Sequence, residues 1–310
     1  MSFAIVFPGQ GSQAVGMLSA MAGSYPIARQ IFAEASSRLG FDLWDLVLNG
    51  PEEGLNRTEN TQPALLTAGY VIWRIWLERG GQRPALLAGH SLGEYTALVC
   101  AGALDFGDAV ALVAERGRTM QSAVPVGTGA MAAILGLDDE VIIDICRGAS
   151  GEEVVSAANF NSPGQVVIAG HTKAVEKAMS AAKAAGAKRT VLLPVSVPSH
   201  CPLMYEAAEK FSRHLDSVAI RDAEIPVVQN VDAEPRRDAT AIKQALVGQL
   251  HQPVRWVESV KKIQSEGVNR IIECGPGKVL AGLMKRIDRE LQIDAVYDPE
   301  SLDNALKEES

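Results

Sequence analysis

The sequence predicts an α/β protein with a smaller β-α-β-β-α-β unit inserted into it. Three observations point there. Residues 85–88 form an apolar run that enters Gly89-His90-Ser91-Leu92-Gly93, and residues 94–99 read as a helix, so strand, sharp turn and helix follow one another around a G-x-S-x-G pattern. Residues 3–7 form a short apolar strand ending in Pro8-Gly9-Gln10-Gly11-Ser12, which places Gln10 at a sheet edge, where the sites of α/β folds gather. Past Pro125-Val126-Gly127-Thr128-Gly129 the elements run strand, helix, strand, strand, helix, strand, the ferredoxin-like arrangement.

The elements follow in order. Helical periodicity covers residues 27–39 and 63–77, the latter opening on Pro63, and a helix spans 106–123. The inserted unit, residues 126–196, reads as strand 131–135, helix 138–147, strands 154–158 and 165–169, helix 172–185 and strand 190–194. Asn159-Phe160-Asn161-Ser162-Pro163-Gly164 has the chemistry of its central hairpin turn. The larger domain, residues 1–125 and 197–310, resumes with a strand at 226–230, helices at 238–250 and 254–264, a strand at 270–274 running into Gly275-Pro276-Gly277, and a helix at 278–289. The polar tail from Asp298 to Ser310 is expected to fray.

Composition narrows the function. A chain of 310 residues, 47% hydrophobic and 21% charged, is an ordinary globular protein. A net charge of −8 without a dense basic run argues against nucleic-acid binding. The start lacks the pattern of a signal peptide, and no apolar run reaches membrane-spanning length. Cys100, Cys146, Cys201 and Cys274 are scattered and read as free thiols in a reducing cytoplasm, not as a metal site.

A serine on a tight strand-to-helix turn has its hydroxyl exposed, and the following helix N-terminus offers N–H groups to an oxyanion. Ser91 is therefore a candidate for covalent acyl chemistry, which requires a base. Of five histidines, His90 would point away from its neighbour Ser91, while His171, His214 and His251 sit at helix ends or among charges. His200, in Pro198-Ser199-His200-Cys201-Pro202, is held between prolines and fits either a base or a structural loop histidine. Arg116 shares a helix face with Leu112 and Val113 and points partly inward, either into a structural ion pair or as a fork for a substrate carboxylate.

Six motifs now stand in order: Phe7-Pro8-Gly9-Gln10-Gly11-Ser12-Gln13, Gly89-His90-Ser91-Leu92-Gly93-Glu94, Gly127-Thr128-Gly129-Ala130-Met131, Asn161-Ser162-Pro163-Gly164-Gln165, Val197-Pro198-Ser199-His200 and Gly275-Pro276-Gly277. Together they resemble the malonyl-CoA:acyl carrier protein transacylases of bacterial fatty acid synthesis, over nearly the whole chain. The resemblance implies a hydrolase-like core with a mostly parallel sheet and a ferredoxin-like insertion. It implies Ser91 as nucleophile, His200 as base, Gln10 and the backbone N–H of Leu92 as the oxyanion hole, and Arg116 as the grip on the malonyl carboxylate. The Gln249 carbonyl would orient His200, and Gln62, Asn159, Asn161 and Asn230 would line the site. Between Ser91 and His200 no acid is marked by context as a third triad member, so a serine–histidine dyad with a carbonyl behind it fits better than a triad. The expected partners are malonyl-CoA and acyl carrier protein, with no metal, cofactor, nucleic acid or membrane, in a cytoplasmic monomer. A carrier protein is acidic, so docking needs a local basic patch, with candidates at Lys188, Arg189, Arg255, Lys261, Lys262, Lys278, Lys285 and Arg286. A serine esterase would share Ser91 and His200 but have no use for Arg116; a non-catalytic docking subunit would have no use for either.

Overall fold

A computed structural model describes residues 2–125, 127–195 and 197–308. Val126 and Ser196, where the inserted unit is expected to begin and end, lie outside the described residues, as do Glu309 and Ser310. The strands in chain order are β1 (Phe3–Phe7), β2 (Leu86–Gly89), β3 (Gly129–Leu135), β4 (Val155–Ser162), β5 (Gln165–His171), β6 (Arg189–Leu192), β7 (Val227–Val228), β8 (Pro235–Arg236), β9 (Arg270–Cys274) and β10 (Gln292–Val296).

The larger sheet has the order β10-β9-β1-β2-β7-β8, parallel throughout except for β8, which is antiparallel to β7. Parallel strands covered on both faces need apolar side chains on both, which is why β1 is buried at all five positions. Phe3, Ile5 and Phe7 pack into the core beneath the helices Ile27–Leu39, Thr58–Glu78 and Phe106–Ser122, while Ala4 and Val6 face the opposite core around Trp256 and Met284.

The smaller sheet is antiparallel, in the order β4-β5-β3-β6. Its alternation is regular. Ala130, Ala132 and Ile134 of β3, with Val166 and Ile168 of β5, face the helices Asp139–Ala149 and Thr172–Ala184. Met131, Val167 and Ala169 point the other way, to Cys201 of the larger unit. A segment running from Leu250 to Arg255 joins the two sheets. The Val254 N–H donates to the Ala158 carbonyl, the Phe160 N–H donates to the Val254 carbonyl, and the Arg255 N–H donates to the Asn230 carbonyl.

Three sequence expectations are corrected. The helix expected from Pro63 begins five residues earlier, at Thr58. Proline favours a first turn, but here Thr58, Thr61 and Gln62 are buried, and their packing carries the helix through it. Gly117 makes that contact possible, since a Cβ there would lie 2.7 Å from the Glu59 Cα. The turn expected over Asn159–Gly164 is shorter, because β4 continues to Ser162 and pairs it with Gln165. Its register shifts on both sides of Asn159–Phe160; such bulges re-aim side chains instead of ending a strand. The tail expected to fray forms the helix Pro299–Lys307, with Asp298 accepting the Ser301 N–H and Ser301 Oγ accepting the Asp298 N–H. That reciprocal cap, with Leu302 and Ala305 buried, anchors it.

Candidate active site

The Ser91 turn is built from what its neighbours cannot be. A Cβ on Gly89 would lie 1.8 Å from the Gly93 carbonyl carbon, and one on Gly93 would lie 2.0 Å from the Phe7 carbonyl oxygen. Only glycine at both positions lets the turn close over the end of β1. Ser91 sits at φ 51°, ψ −108°, a left-handed conformation rare for a residue with a side chain. Strain of this kind costs about 1–3 kcal/mol and is offset by its surroundings. The Ser91 N–H donates to Asn230 Oδ1 (2.7 Å), Asn230 Nδ2 donates to the Gly89 carbonyl (2.7 Å), and Gln249 Nε2 donates to the Ser91 carbonyl (3.0 Å). Asn230→Leu leaves the Ser91 N–H and the Gly89 carbonyl without partners. A loss of roughly 2–6 kcal/mol is expected, from about 1–3 kcal/mol for each of the two stranded groups. Urea unfolding measures it, and an unchanged midpoint would mean that the turn does not depend on this brace.

His200 meets Ser91 from the loop ahead of the short 3-10 turn Pro202–Met204. Its Nε2 is 2.7 Å from Ser91 Oγ. Its Nδ1 is 2.7 Å from the Gln249 carbonyl oxygen. A carbonyl can only accept, so the proton sits on Nδ1 and Nε2 is left to take the serine hydroxyl proton. His200 is 2% exposed. Burial, and secondarily the Arg116 charge, pushes its pKa down to about 3. The imidazole is therefore neutral, the form a base requires. Among the described residues the group behind its Nδ1 is the Gln249 carbonyl and not a carboxylate.

The other histidines are engaged elsewhere. His90 Nε2 pairs with Asn161 Oδ1 at 2.8 Å, His171 Nδ1 accepts the Val154 N–H, His214 lies 3.5 Å from Glu115, and His251 packs edge-on to Tyr205. Cys201 donates to the Pro198 carbonyl, and burial pushes its thiol up to about 12, so it is no rival nucleophile.

Of the two readings left open for Arg116, the structure does not form the ion pair. Arg116 is 1% exposed, and among the described residues no carboxylate forms an ion pair with it. Its guanidinium donates to Gln62 Oε1 (2.8 Å) and Gln249 Oε1 (2.9 Å), lies 3.4 Å from Ser91 Oγ, and covers the Tyr95 ring at 5.3 Å. Its Nε has no partner. A buried cation held only by neutral oxygens and an aromatic face is incompletely compensated, and an anion beside Ser91 would complete it.

These groups line one cavity of about 190 Å³. Ser91, His200, Arg116, Gln10, Leu92, Gln62, Asn159 and Asn161 face it, with Met131, Val167 and Leu193 as apolar walls. Leu92 opens the helix Leu92–Cys100, so its N–H has no acceptor within that helix. Asn230 and Gln249 stand behind the cavity and brace it instead of lining it. The sequence reading missed the double role of the Gln249 side chain and the places of Glu94 and Tyr95. Both of the latter lie one turn beyond Ser91 on the same helix, a spacing that could have marked them.

The family model of the acyl transferase domain matches residues 4–295. The malonyl CoA-acyl carrier protein transacylase of Salmonella typhimurium is 58% identical over 304 residues, covering 98% of both chains. The chain belongs to the acyl transferase family, among its malonyl CoA-acyl carrier protein transacylases. Solved structures agree. The acyl carrier protein S-malonyltransferase of Vibrio cholerae is 57% identical, with a TM-score of 0.96 over 98% of this chain and all of that one. A structure of a type II PKS acyl carrier protein in complex with its malonyl transacylase matches at 56% identity and a TM-score of 0.98, over 99% of this chain and 100% of the matched one. In this acyl transferase, then, the overall fold is that of its solved relatives. Among the described residues no helix is long and apolar enough to cross a membrane, and no cluster of three or more His, Cys, Asp or Glu could hold a metal ion.

Proposed function

We propose that the protein moves malonyl from malonyl-CoA to the phosphopantetheine thiol of an acyl carrier protein, by a ping-pong route through a malonyl ester on Ser91. The observation that carries this reading is the buried Arg116 guanidinium, 3.4 Å from Ser91 Oγ and without an ion-paired carboxylate among the described residues. An esterase has no need of such a charge. A carboxylate-bearing acyl group does, because the guanidinium fork fits a carboxylate with two parallel hydrogen bonds.

In this mechanism His200 Nε2 takes the Ser91 proton as Oγ attacks the thioester carbon. The oxyanion is received by the backbone N–H of Leu92 and by Gln10, whose residue lines the same cavity. His200 returns the proton to the departing CoA sulfur, and malonyl stays on Ser91. The carrier-protein thiol then attacks and the steps reverse. A neutral carbonyl behind His200 stabilises the imidazolium less than a carboxylate would, which suits a proton held briefly between the Ser91 oxygen and a thiol sulfur. For docking, Lys188 and Arg189 are the best placed basic residues, since β6 leads directly into Leu193 and Val195 on the cavity wall. Arg255 and Lys262 are already paired with Glu258 and with Glu234 and Glu266.

Intact-mass measurement tests the reading. Incubation with malonyl-CoA alone is expected to add one malonyl group. Carrier protein should remove it, and Ser91→Ala should never acquire it. Rapid appearance of free malonate before any thiol acceptor is added would point to a thioesterase instead.

A further inference from the structure

Glu94 lies one turn past Ser91 and is 0% exposed. Its Oε2 accepts the Asn230 N–H at 2.8 Å. Its Oε1 is buried and has no hydrogen-bond partner among the described residues. Asn230 braces the Ser91 turn, and Gln249 links that turn to Arg116. The fold therefore buries one carboxyl and one guanidinium behind the same catalytic turn, joined through amides and never in direct contact. A buried cation without counter-charge is costly, and so is a buried carboxylate with an orphaned oxygen. The mechanism above uses Arg116 and leaves Glu94 unexplained.

We propose that Glu94 is the counter-charge of Arg116 while the acyl site is empty, and that it takes up a proton when a carboxylate-bearing acyl group occupies the clamp. This rests on the transfer reading. With malonyl bound, two carboxyls would share one buried guanidinium, and two like charges in one dry site cannot both persist. The malonyl carboxylate has the better geometry, so Glu94 is the one that becomes neutral. Its resting state is poised for this: burial raises its carboxyl to about 7, while the Asn230 N–H, Gln249 and Arg116 pull back toward the anion. The charged or titratable groups around it are Arg116, Tyr95, and Asp232 with its partner Arg236. Across the turn stand His200 and His90, both held neutral by burial.

Loading is otherwise proton-neutral near pH 7. The Ser91 Oγ–carbon bond forms, the carbon–sulfur bond breaks, and the serine proton leaves on the CoA thiol. Net uptake must then come from the protein. The test is to mix the protein with malonyl-CoA in weak buffer with a pH indicator, counting the acyl-enzyme by mass in parallel. About half a proton per malonyl-enzyme is expected at pH 7, fading to nothing by pH 5.5, where a group titrating at 7 is already protonated. Loading with acetyl-CoA should take up none. The wild type is expected to lose malonyl kcat/KM above pH 7, and Glu94→Gln should load malonyl without uptake and without that fall.

Malonyl-enzyme formed without uptake overturns the proposal. Uptake that persists in Glu94→Gln belongs to His200 or His90 and overturns it equally. If circular dichroism shows that the variant fails to fold, the wild-type pH course and the acetyl comparison decide alone. If no malonyl-enzyme forms at all, the transfer reading itself has failed, which the mass measurement reveals separately.

Discussion

Arg116→Ala is expected to lower kcat/KM for malonyl-CoA by about 10²–10⁴, while acetyl-CoA changes by less than about tenfold. The first figure follows from the roughly 3–5 kcal/mol lost when one partner of a buried charge pair is removed, at about 1.4 kcal/mol per decade of rate. The second follows because acetyl has no carboxylate to strand. Gln62 and Gln249 lose a donor in either case, so a purely structural role for Arg116 would depress both substrates alike. Arg116→Lys separates charge from shape. Lysine keeps the cation but presents no planar fork, so an intermediate loss is expected. Steady-state kinetics with the two acyl-CoAs settles the matter, and equal losses would defeat the clamp.

His200→Ala is expected to slow acyl-enzyme formation by about 10⁴, the upper end for a positioned general base. The pH course is the sharper measurement. Because His200 is held at about 3 in the fold, its base form persists as pH falls through 6.5, the ordinary titration range of histidine. Wild-type acylation measured with acetyl-CoA should therefore stay level from pH 7.5 to about 5.5, with no half-loss near 6.5. In His200→Ala the residual rate should climb with pH as hydroxide takes over. Stability carries the same signature. Between 6.5 and 3 the unfolded chain binds a proton that the folded chain refuses, so His200 costs the fold nothing above 6.5 and destabilises it progressively below. A wild-type acylation profile that halves at 6.5 would mean an exposed, ordinary imidazole at work.

Much of this site was legible in the sequence, and the residues show why. The Ser91 elbow was readable because steric exclusion is local: Gly89 and Gly93 are required by atoms a few residues away or at the end of β1. Arg116 was readable as inward-facing because helical spacing alone determines its face, but its partners were not. Gln62 and Gln249 come from elements 54 and 133 residues distant, and no periodicity reports such a meeting. Their assignment came from the family resemblance. Asn159 and Asn161 were misread as turn residues because turns and strand bulges favour the same side chains; only pairing with β5 distinguishes them. The C-terminal helix was missed because its buried face is just Leu302 and Ala305, too narrow a stripe to stand out among polar neighbours. Glu94 was hidden in plain view, since a carboxylate in the first turn of a helix is ordinarily a solvated cap.

The segment from Leu250 to Arg255 has a consequence for recombination. It follows directly on Gln249, whose carbonyl holds His200; it ends on the Asn230 carbonyl; and between these it is hydrogen-bonded to Ala158 and Phe160 of the smaller sheet. One stretch of backbone thus keys together His200, the Asn230 brace of the Ser91 turn and the strand β4. The smaller sheet looks in sequence like an exchangeable cassette, yet the strap it bonds to at Val254 lies about 95 residues past Asn159, well beyond the cassette's end. A graft of residues 127–195 from a relative with another acyl preference would carry only one side of that joint. The exchangeable unit in three dimensions is the cassette together with the strap, and chimeras cut at the two sequence junctions alone would import new walls while misaligning the imidazole they are meant to serve.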